Sequence, residues 1–237
     1  MDTDERNQTK SEALFLNYCG LRGYTAKRIS RPQDGGKFAD YEVLINSYRI
    51  ITEVKELRAN PEDEKAAKSI RENRIELLTY DGGRRVRTHI EDAERQLRRY
   101  ENEHCASIIL LYDNITVNGS PVHPTDFCIH PLAPYSVDVG MFGLHAANVR
   151  IHPDGRTESL GDTRASGRTL RDTKRTLVSA VAVLYEFPDY GLRLAIYHNY
   201  YVQNPLPKSL FIDPRDCQFE KPDHPEQCPG AWNRVRS

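Results

Sequence analysis

At 237 residues, 38% hydrophobic and 28% charged, the chain can bury a substantial core as one domain, or as one domain with a large extension. It nowhere reaches the roughly 18 consecutive apolar residues of a membrane helix, and its opening MDTDERNQTK lacks the apolar segment of a signal peptide, so the expected setting is a reducing cytoplasm in which its five cysteines need no partners. A formal net charge of −1 excludes a protein that coats nucleic acid by bulk electrostatics, while leaving room for a local phosphate-binding site.

In chain order, apolar periodicity predicts a first helix from Thr9 to Tyr18, with Leu14, Phe15, Tyr18 and Leu21 on one face and Gly20 and Gly23 ending it. A strand over 24–30 and a turn at Asp34-Gly35-Gly36 follow. Two strands, 40–45 and 48–57, joined at Asn46-Ser47, then read as a hairpin. Asn60-Pro61-Glu62-Asp63 combines a capping side chain, an N1 proline and first-turn acids, which predicts a second helix running to Leu78. After a loop, YDGGRRVR, the spacing of Thr88 and Glu91 has the form of a capping box. Ile90, Ala93, Leu97 and Tyr100 carry a third helix to His104.

The apolar run 106–112 is expected to be a strand buried on both faces, which after a helix favours a mixed or parallel sheet. The first half thus has the order α-β-β-β-α-β. Residues 114–134 read as a long connection, 143–151 as a strand, 169–187 as a helix, 192–197 as a strand, and the tail beyond Pro205 as irregular. Periodicity leaves open whether the second half extends the first sheet or forms a small α/β subdomain. No internal repeat or low-complexity segment interrupts the chain.

The chemistry concentrates in the hairpin. Side chains two apart on a strand share a face, so Glu53 and Lys55 point the same way, and Asp40 opens the neighbouring strand. Carboxylates held a few ångströms apart repel, and a divalent cation or a proton stabilises the pair. A hard cation such as Mg²⁺ prefers oxygen ligands and is commonly shared between carboxylates and a substrate phosphate. A lysine beside it can hold the attacking water and offset charge developing on phosphorus.

These residues resemble the signature of the PD-(D/E)XK nuclease superfamily over residues 11–113, Asp40 matching its first acid and Glu53-Val54-Lys55 its (D/E)XK element, with Ala39 where the family's proline stands. The resemblance implies a restriction-endonuclease-like αβββαβ core, a mixed α/β sheet flanked by helices, in residues 1–113, with 114–237 as its extension. It also implies Mg²⁺ or Mn²⁺ held by Asp40, Glu53 and the Val54 carbonyl, with Lys55 orienting the nucleophilic water. Glu12 would match an additional acid, and Gln96 with Tyr100 the QxxxY element of the exonuclease branch, positioning the strand.

The expected activity is metal-dependent hydrolysis of phosphodiester bonds in nucleic acid, DNA before RNA, with a homodimer or larger complex as the candidate assembly. Arginine-rich stretches supply candidates for backbone contact: Arg84, Arg85 and Arg87, then Arg99, then Arg168, Arg171, Lys174 and Arg175. Each alone also reads as a solvated surface among intermixed acids.

Other readings stand beside this one. Glu53 and Lys55 form an ordinary same-face pair on an exposed strand, Asp40 ends a turn, Glu12 closes a capping box with Thr9, and Tyr100 continues an apolar stripe. The whole can also be read as a nuclease-like module that binds nucleic acid or protein without cutting. Cys217, His224 and Cys228 offer a zinc alternative whose spacing matches no familiar module. The sequence contains no Walker loop, G-x-S-x-G elbow or H-E-x-x-H helix.

Overall fold

A computed structural model describes residues 8–30, 35–61, 64–65, 68, 72, 76–80, 82–117, 120–121, 132, 134–142, 146–151, 157–163, 177–187, 189–225 and 231–235. Helix α1 (Lys10–Leu21) opens the fold, with Thr9 as N-cap in a complete capping box with Glu12. The helix ends where the Arg22 N–H turns back to Tyr18 and Cys19 carbonyls and Gly23 takes φ 69°, a left-handed conformation that favours glycine.

Strands β1 (Thr25–Arg28), β2 (Tyr41–Ile45) and β3 (Tyr48–Leu57) form an antiparallel meander. The β2–β3 link is the expected two-residue turn, with Asn46 at φ 49° and Ser47 at φ 67°, the double left-handed geometry that matches the twist of the flanking strands. In β2, Tyr41, Val43 and Ile45 are buried and alternate with more exposed residues, as one covered face requires. In β3 the middle residues are buried on both faces.

After β3, residues 61, 64, 65 and 68 are helical, as expected. The expected extension of that helix to Leu78 fails, because β4 (Glu76–Tyr80) is a strand, paired antiparallel with β8 (Ala146–Ile151), which in turn pairs with β9 (Thr157–Thr163). The small sheet β4-β8-β9 draws its strands from both halves of the chain.

Helix α2 (Gly82–Leu97) begins six residues before the expected Thr88 and continues as a 3₁₀ turn from Arg98 to Glu103. Thr88 is therefore no cap: its hydroxyl donates to the Arg84 carbonyl inside the helix. Gly83, one of the glycines that suggested a loop, serves helix packing instead. A Cβ on Gly83 would lie 2.5 Å from the Gly140 backbone nitrogen, and one on Gly140 would lie 2.5 Å from Val86 side-chain atoms. Gly140 belongs to helix α3 (Pro134–Phe142), which the sequence reading did not anticipate.

Strand β5 (Ala106–Asp113) pairs parallel with β3, as its unbroken apolar run suggested. The short strands β6 (Thr116–Val117) and β7 (Ser120–Pro121) form a two-stranded ribbon of their own. The clearest correction concerns the helix expected over 169–187: residues 180–187 are strand β10 (Ala180–Phe187), parallel to β5 and antiparallel to β11 (Gly191–His198). Residues 169–176 lie outside the described residues. A short apolar run is compatible with helix or strand, and here the ladders offered on both sides decide in favour of the strand.

Strands β12 (Cys217–Glu220) and β13 (Asn233–Arg234) complete an eight-stranded mixed sheet of order β1-β2-β3-β5-β10-β11-β12-β13. Second-half strands thus continue the first-half sheet, and the expected irregular tail contributes two of them. Two cores flank the sheet. Phe15, Tyr18 and Cys19 of α1 pack on Tyr41, Val43, Ile50, Val54 and Leu110 on one side, and Val86, Ile90, Ala93 and Leu97 of α2 with Val137 and Met141 of α3 pack on Ile51, Leu57, Ile109 and Val181 on the other. A fully buried ion pair, Lys221 Nζ to Asp138 Oδ1 at 2.6 Å, ties the segment after β12 to α3. No helix among the described residues is long and apolar enough to cross a membrane.

Candidate active site

Glu53 and Lys55 project from β3 toward α2, between the apolar Ile51 and Leu57 of the same face. This placement excludes the reading of an exposed same-face pair, because Glu53 is 1% exposed. Lys55 Nζ donates to Glu53 Oε1 at 2.5 Å and to Gln96 Oε1 at 2.8 Å, and Gln96 Nε2 donates to the Phe38 carbonyl at 3.3 Å. Gln96 therefore fixes the lysine head and links it to the segment that carries Asp40.

Asp40 stands immediately before β2, where its Oδ2 accepts the Val54 N–H at 2.9 Å. Val54 itself turns its side chain into the α1-side core. Tyr100, in the 3₁₀ turn, is half-buried and hydrogen-bonds the Ala39 backbone, so both members of the Gln96–Tyr100 pair hold the strand entry beside Asp40.

Glu53 Oε2 is buried and, among the described residues, no N–H or O–H donor reaches it, while the Glu53 carboxyl interacts with that of Asp40. An orphaned carboxylate oxygen inside a protein is costly unless it carries a proton or meets a cation. Burial pushes the Glu53 carboxyl up to about 8, with the neighbouring Asp40 charge adding to the effect and Lys55 opposing it. Asp40 is raised as well, chiefly by burial, with the Val54 N–H and Lys55 opposing and the charge of Glu12 adding. A proton held between the two carboxyls is the way such a pair is relieved without a metal, and both shifts run in that direction.

That proton has a consequence for stability. Between the ordinary carboxyl value of 4.5 and about 8 the folded protein holds a proton that the unfolded chain releases, so stability falls as pH rises through this window. The slope reaches about 1.4 kcal/mol per pH unit. Thermal unfolding in chelator at stepped pH, for the parent and for Glu53→Gln, isolates the contribution: the parent should lose stability relative to the variant across the window. A flat difference would mean that Glu53 is ionised throughout.

Glu12 is placed differently from the metal-binding role the resemblance implies. Its Oε2 accepts from the Thr9 N–H and hydroxyl at 2.8 and 2.9 Å, and its Oε1 accepts from Arg28 Nη2 at 3.0 Å and Tyr41 OH at 3.3 Å. It is the helix cap and the partner of Arg28, near enough to Asp40 to act on its charge.

His89 is a neighbour that sequence reasoning missed. It lies seven residues before Gln96, a spacing that returns to the same face of a helix. Burial, with the charges of Lys55 and Arg85 adding, pushes its imidazole down to about 4, so it is neutral at neutral pH. The periodicity of the third helix already placed it on the Gln96 face.

Arg84, Arg85 and Arg87 occupy the first turns of α2, and Arg85 Nη2 donates to the Arg58 carbonyl just past β3. Arg99 is exposed on the 3₁₀ turn. Arg168, Arg171, Lys174 and Arg175 lie outside the described residues, as does Cys228 of the zinc alternative. His224, its proposed co-ligand, is 3.2 Å from Tyr201 OH.

Among the described residues no three His, Cys, Asp or Glu side chains group to hold a metal by themselves. Asp40 and Glu53 offer two carboxylates, not three. The orphaned Glu53 oxygen beside a second carboxylate fits a hard cation that completes its shell with water or phosphate oxygens. Comparison of the chain with models of protein families, with curated proteins and with solved structures gave no match in any of the three.

Proposed function

We propose that this chain is a metal-dependent nuclease that hydrolyses phosphodiester bonds in nucleic acid, with DNA as the preferred substrate, and that its core is a divergent PD-(D/E)XK domain. The observation that carries the reading is the pair of Asp40, at the entry to β2, with the buried Glu53, one of whose oxygens no donor reaches, on a strand that also presents Lys55 to Gln96. Within the large sheet the chain runs α1, β1, β2, β3, α2 and β5 with β3 parallel to β5, and β4, which falls between β3 and α2, belongs to the small sheet; this arrangement supports the reading, since it sets the hairpin beside Asp40 against the helix bearing Gln96.

Asp40 and Glu53 would hold Mg²⁺ or Mn²⁺, with the Val54 carbonyl as a further ligand by resemblance. When bound, the cation supplies charge neutralisation at the phosphate and acidification of a coordinated water. Lys55, oriented by Gln96, places a positive charge and a donor where the water attacks. Tyr100 and Gln96 keep Asp40 in register through contacts with the 38–39 backbone. His89, kept neutral by burial and by the charges of Lys55 and Arg85, adds no further positive charge to the site.

The test is incubation with circular DNA, linear DNA and RNA, each with Mg²⁺, Mn²⁺ or chelator. Metal-dependent cleavage that chelator abolishes is the expected result, and nicking of the circle identifies an endonuclease. Binding without cleavage of any substrate under any metal would select the non-cutting module instead.

The arginines of the first α2 turns point to a second measurement. Positive side chains at a helix N-terminus oppose the macrodipole, a cost that a bound phosphate relieves. Replacing Arg84, Arg85 and Arg87 by alanine should weaken binding on all sequences alike. It should also flatten the salt dependence, by up to about one unit of logarithmic slope for each phosphate that is no longer neutralised. An unchanged slope would place the backbone-binding face elsewhere.

A further inference from the structure

The β10–β11 hairpin carries an exposed aromatic pair around an arginine. Phe187 and Tyr190 are 40% and 63% exposed, among the largest apolar side chains left open to solvent. Arg193 Cζ lies 4.8 Å from the Tyr190 ring centroid and 5.3 Å from that of Phe187. Tyr185 extends the stack inward, its ring 6.0 Å from Phe187 and its hydroxyl bonded to the Leu132 carbonyl. Among the described residues Arg193 Nε has no hydrogen-bond partner, so the guanidinium is held at that edge by ring faces.

The position relates this cluster to the acids. Lys55 pairs with Leu111, and Leu111 pairs with Val183, which fixes the register from β3 through β5 to β10. Val181, Val183 and Tyr185 lie on the α2 side of the sheet, and strand alternation puts Phe187 there too, with Arg193 opposite Tyr185 on β11. Phe187 is four residues beyond the Lys55 row and two strands across. Strand rise and spacing make that roughly 16 Å, on the same face and toward the same end of the sheet. A polymeric substrate held at Asp40 and Glu53 can reach it within a few nucleotides.

Rigid exposed rings with an arginine between them suit an unpaired base: the ring gives a stacking surface that tolerates any base, and the guanidinium adds cation–π and phosphate attraction. A duplex cannot offer the face of an internal base to such a platform. Asp189, in the same turn, lowers the local positive charge and makes stacking the larger share of the attraction.

We infer that Phe187, Tyr190 and Arg193 form a stacking platform for single-stranded nucleic acid, which selects a substrate with an unpaired segment beside the cutting site. The role in substrate choice rests on the nuclease reading; the binding itself does not.

Fluorescence anisotropy in chelator, where no cutting occurs, measures binding of single-stranded DNA, single-stranded RNA and duplex DNA to the full chain. Tyr190→Ala and the double change Phe187→Ala with Tyr190→Ala should weaken single-strand binding at least about fivefold, the low end expected for one stacked base, while Tyr190→Phe keeps it. Duplex binding should change less than about twofold on the same scale. An oligonucleotide carrying 2-aminopurine should be quenched by the parent and by Tyr190→Phe, but not by Tyr190→Ala, a signature that loss of stability alone does not produce. The two single-strand arms show whether the platform accepts RNA as well as DNA. Equal losses on single strand and duplex, unchanged single-strand binding, or no single-strand binding by the parent would each overturn the platform, even if the protein cleaves. Tyr190-dependent quenching without any cleavage would sustain it while removing the nuclease reading.

Discussion

In single-turnover assays at saturating Mg²⁺, Lys55→Ala should slow cleavage by about a hundredfold or more, a barrier increase near 2.7 kcal/mol. Its ammonium contacts Glu53 Oε1 and Gln96 Oε1, so the loss removes the cation that the site aims at the reacting phosphate and leaves both carboxylates in place. Metal affinity should persist, through two opposing effects. Without Lys55 the pair holds its shared proton more firmly, because the lysine is one of the groups that lowers Glu53. A neighbouring charge that repels the metal is also gone. Once both acids are ionised, which in this variant needs a pH above the parent's value of about 8, only the second effect remains and binding should tighten. Asp40→Ala and Glu53→Ala should abolish cleavage and weaken metal binding together while the fold survives. Calorimetric titration with Mn²⁺ beside the cleavage assay separates the two classes. Lys55→Ala activity within about tenfold of the parent would deny the lysine a catalytic role.

Gly83→Ala should destabilise the protein by about 1–3 kcal/mol, lowering its melting temperature by roughly 2–12 °C for a chain of this size. Helix propensity alone predicts the opposite, a gain of about 1 kcal/mol for alanine over glycine inside a helix. Packing decides the sign. A Cβ there would lie 2.5 Å from the Gly140 nitrogen and 2.6 Å from Val139 atoms, and backbone cannot rotate away as a side chain can. Gly20→Ala is the matched control, because nothing lies within 4 Å of a Cβ at that position in α1, so the change should be stabilising by a few tenths to about 1 kcal/mol. If both variants shift in the same direction on thermal unfolding, α2 and α3 do not meet at these glycines.

Features that depend on neighbours in the chain were legible without the fold. Thr9 and Glu12 are three apart, and they form the box that spacing predicted. Asn46-Ser47 tolerates the left-handed backbone of a tight hairpin, and the strands on either side follow from it. Period-two alternation put Glu53 and Lys55 on one face of β3. The candidate acids and their lysine were therefore named from local pattern.

What distant partners decide was beyond that reach. Residues 180–187 look equally at home in a helix until β11 offers a ladder along their whole length and β5 a second one along 180–184, where the strand pairs its backbone on both edges. Gly83 reads as a turn until α3 presses a second glycine against it. Glu12 reads equally as a capping acid or as the family's additional acid, and the fold adds Arg28 and Tyr41 as donors to its other oxygen. Most consequential is the contact of Lys55 with Gln96 across 41 residues of sequence, together with the burial that leaves one oxygen of Glu53 without a donor. Burial and pairing arise when the sheet and α2 close over the strand, because desolvation depends on everything packed around a group and not on its place in the chain.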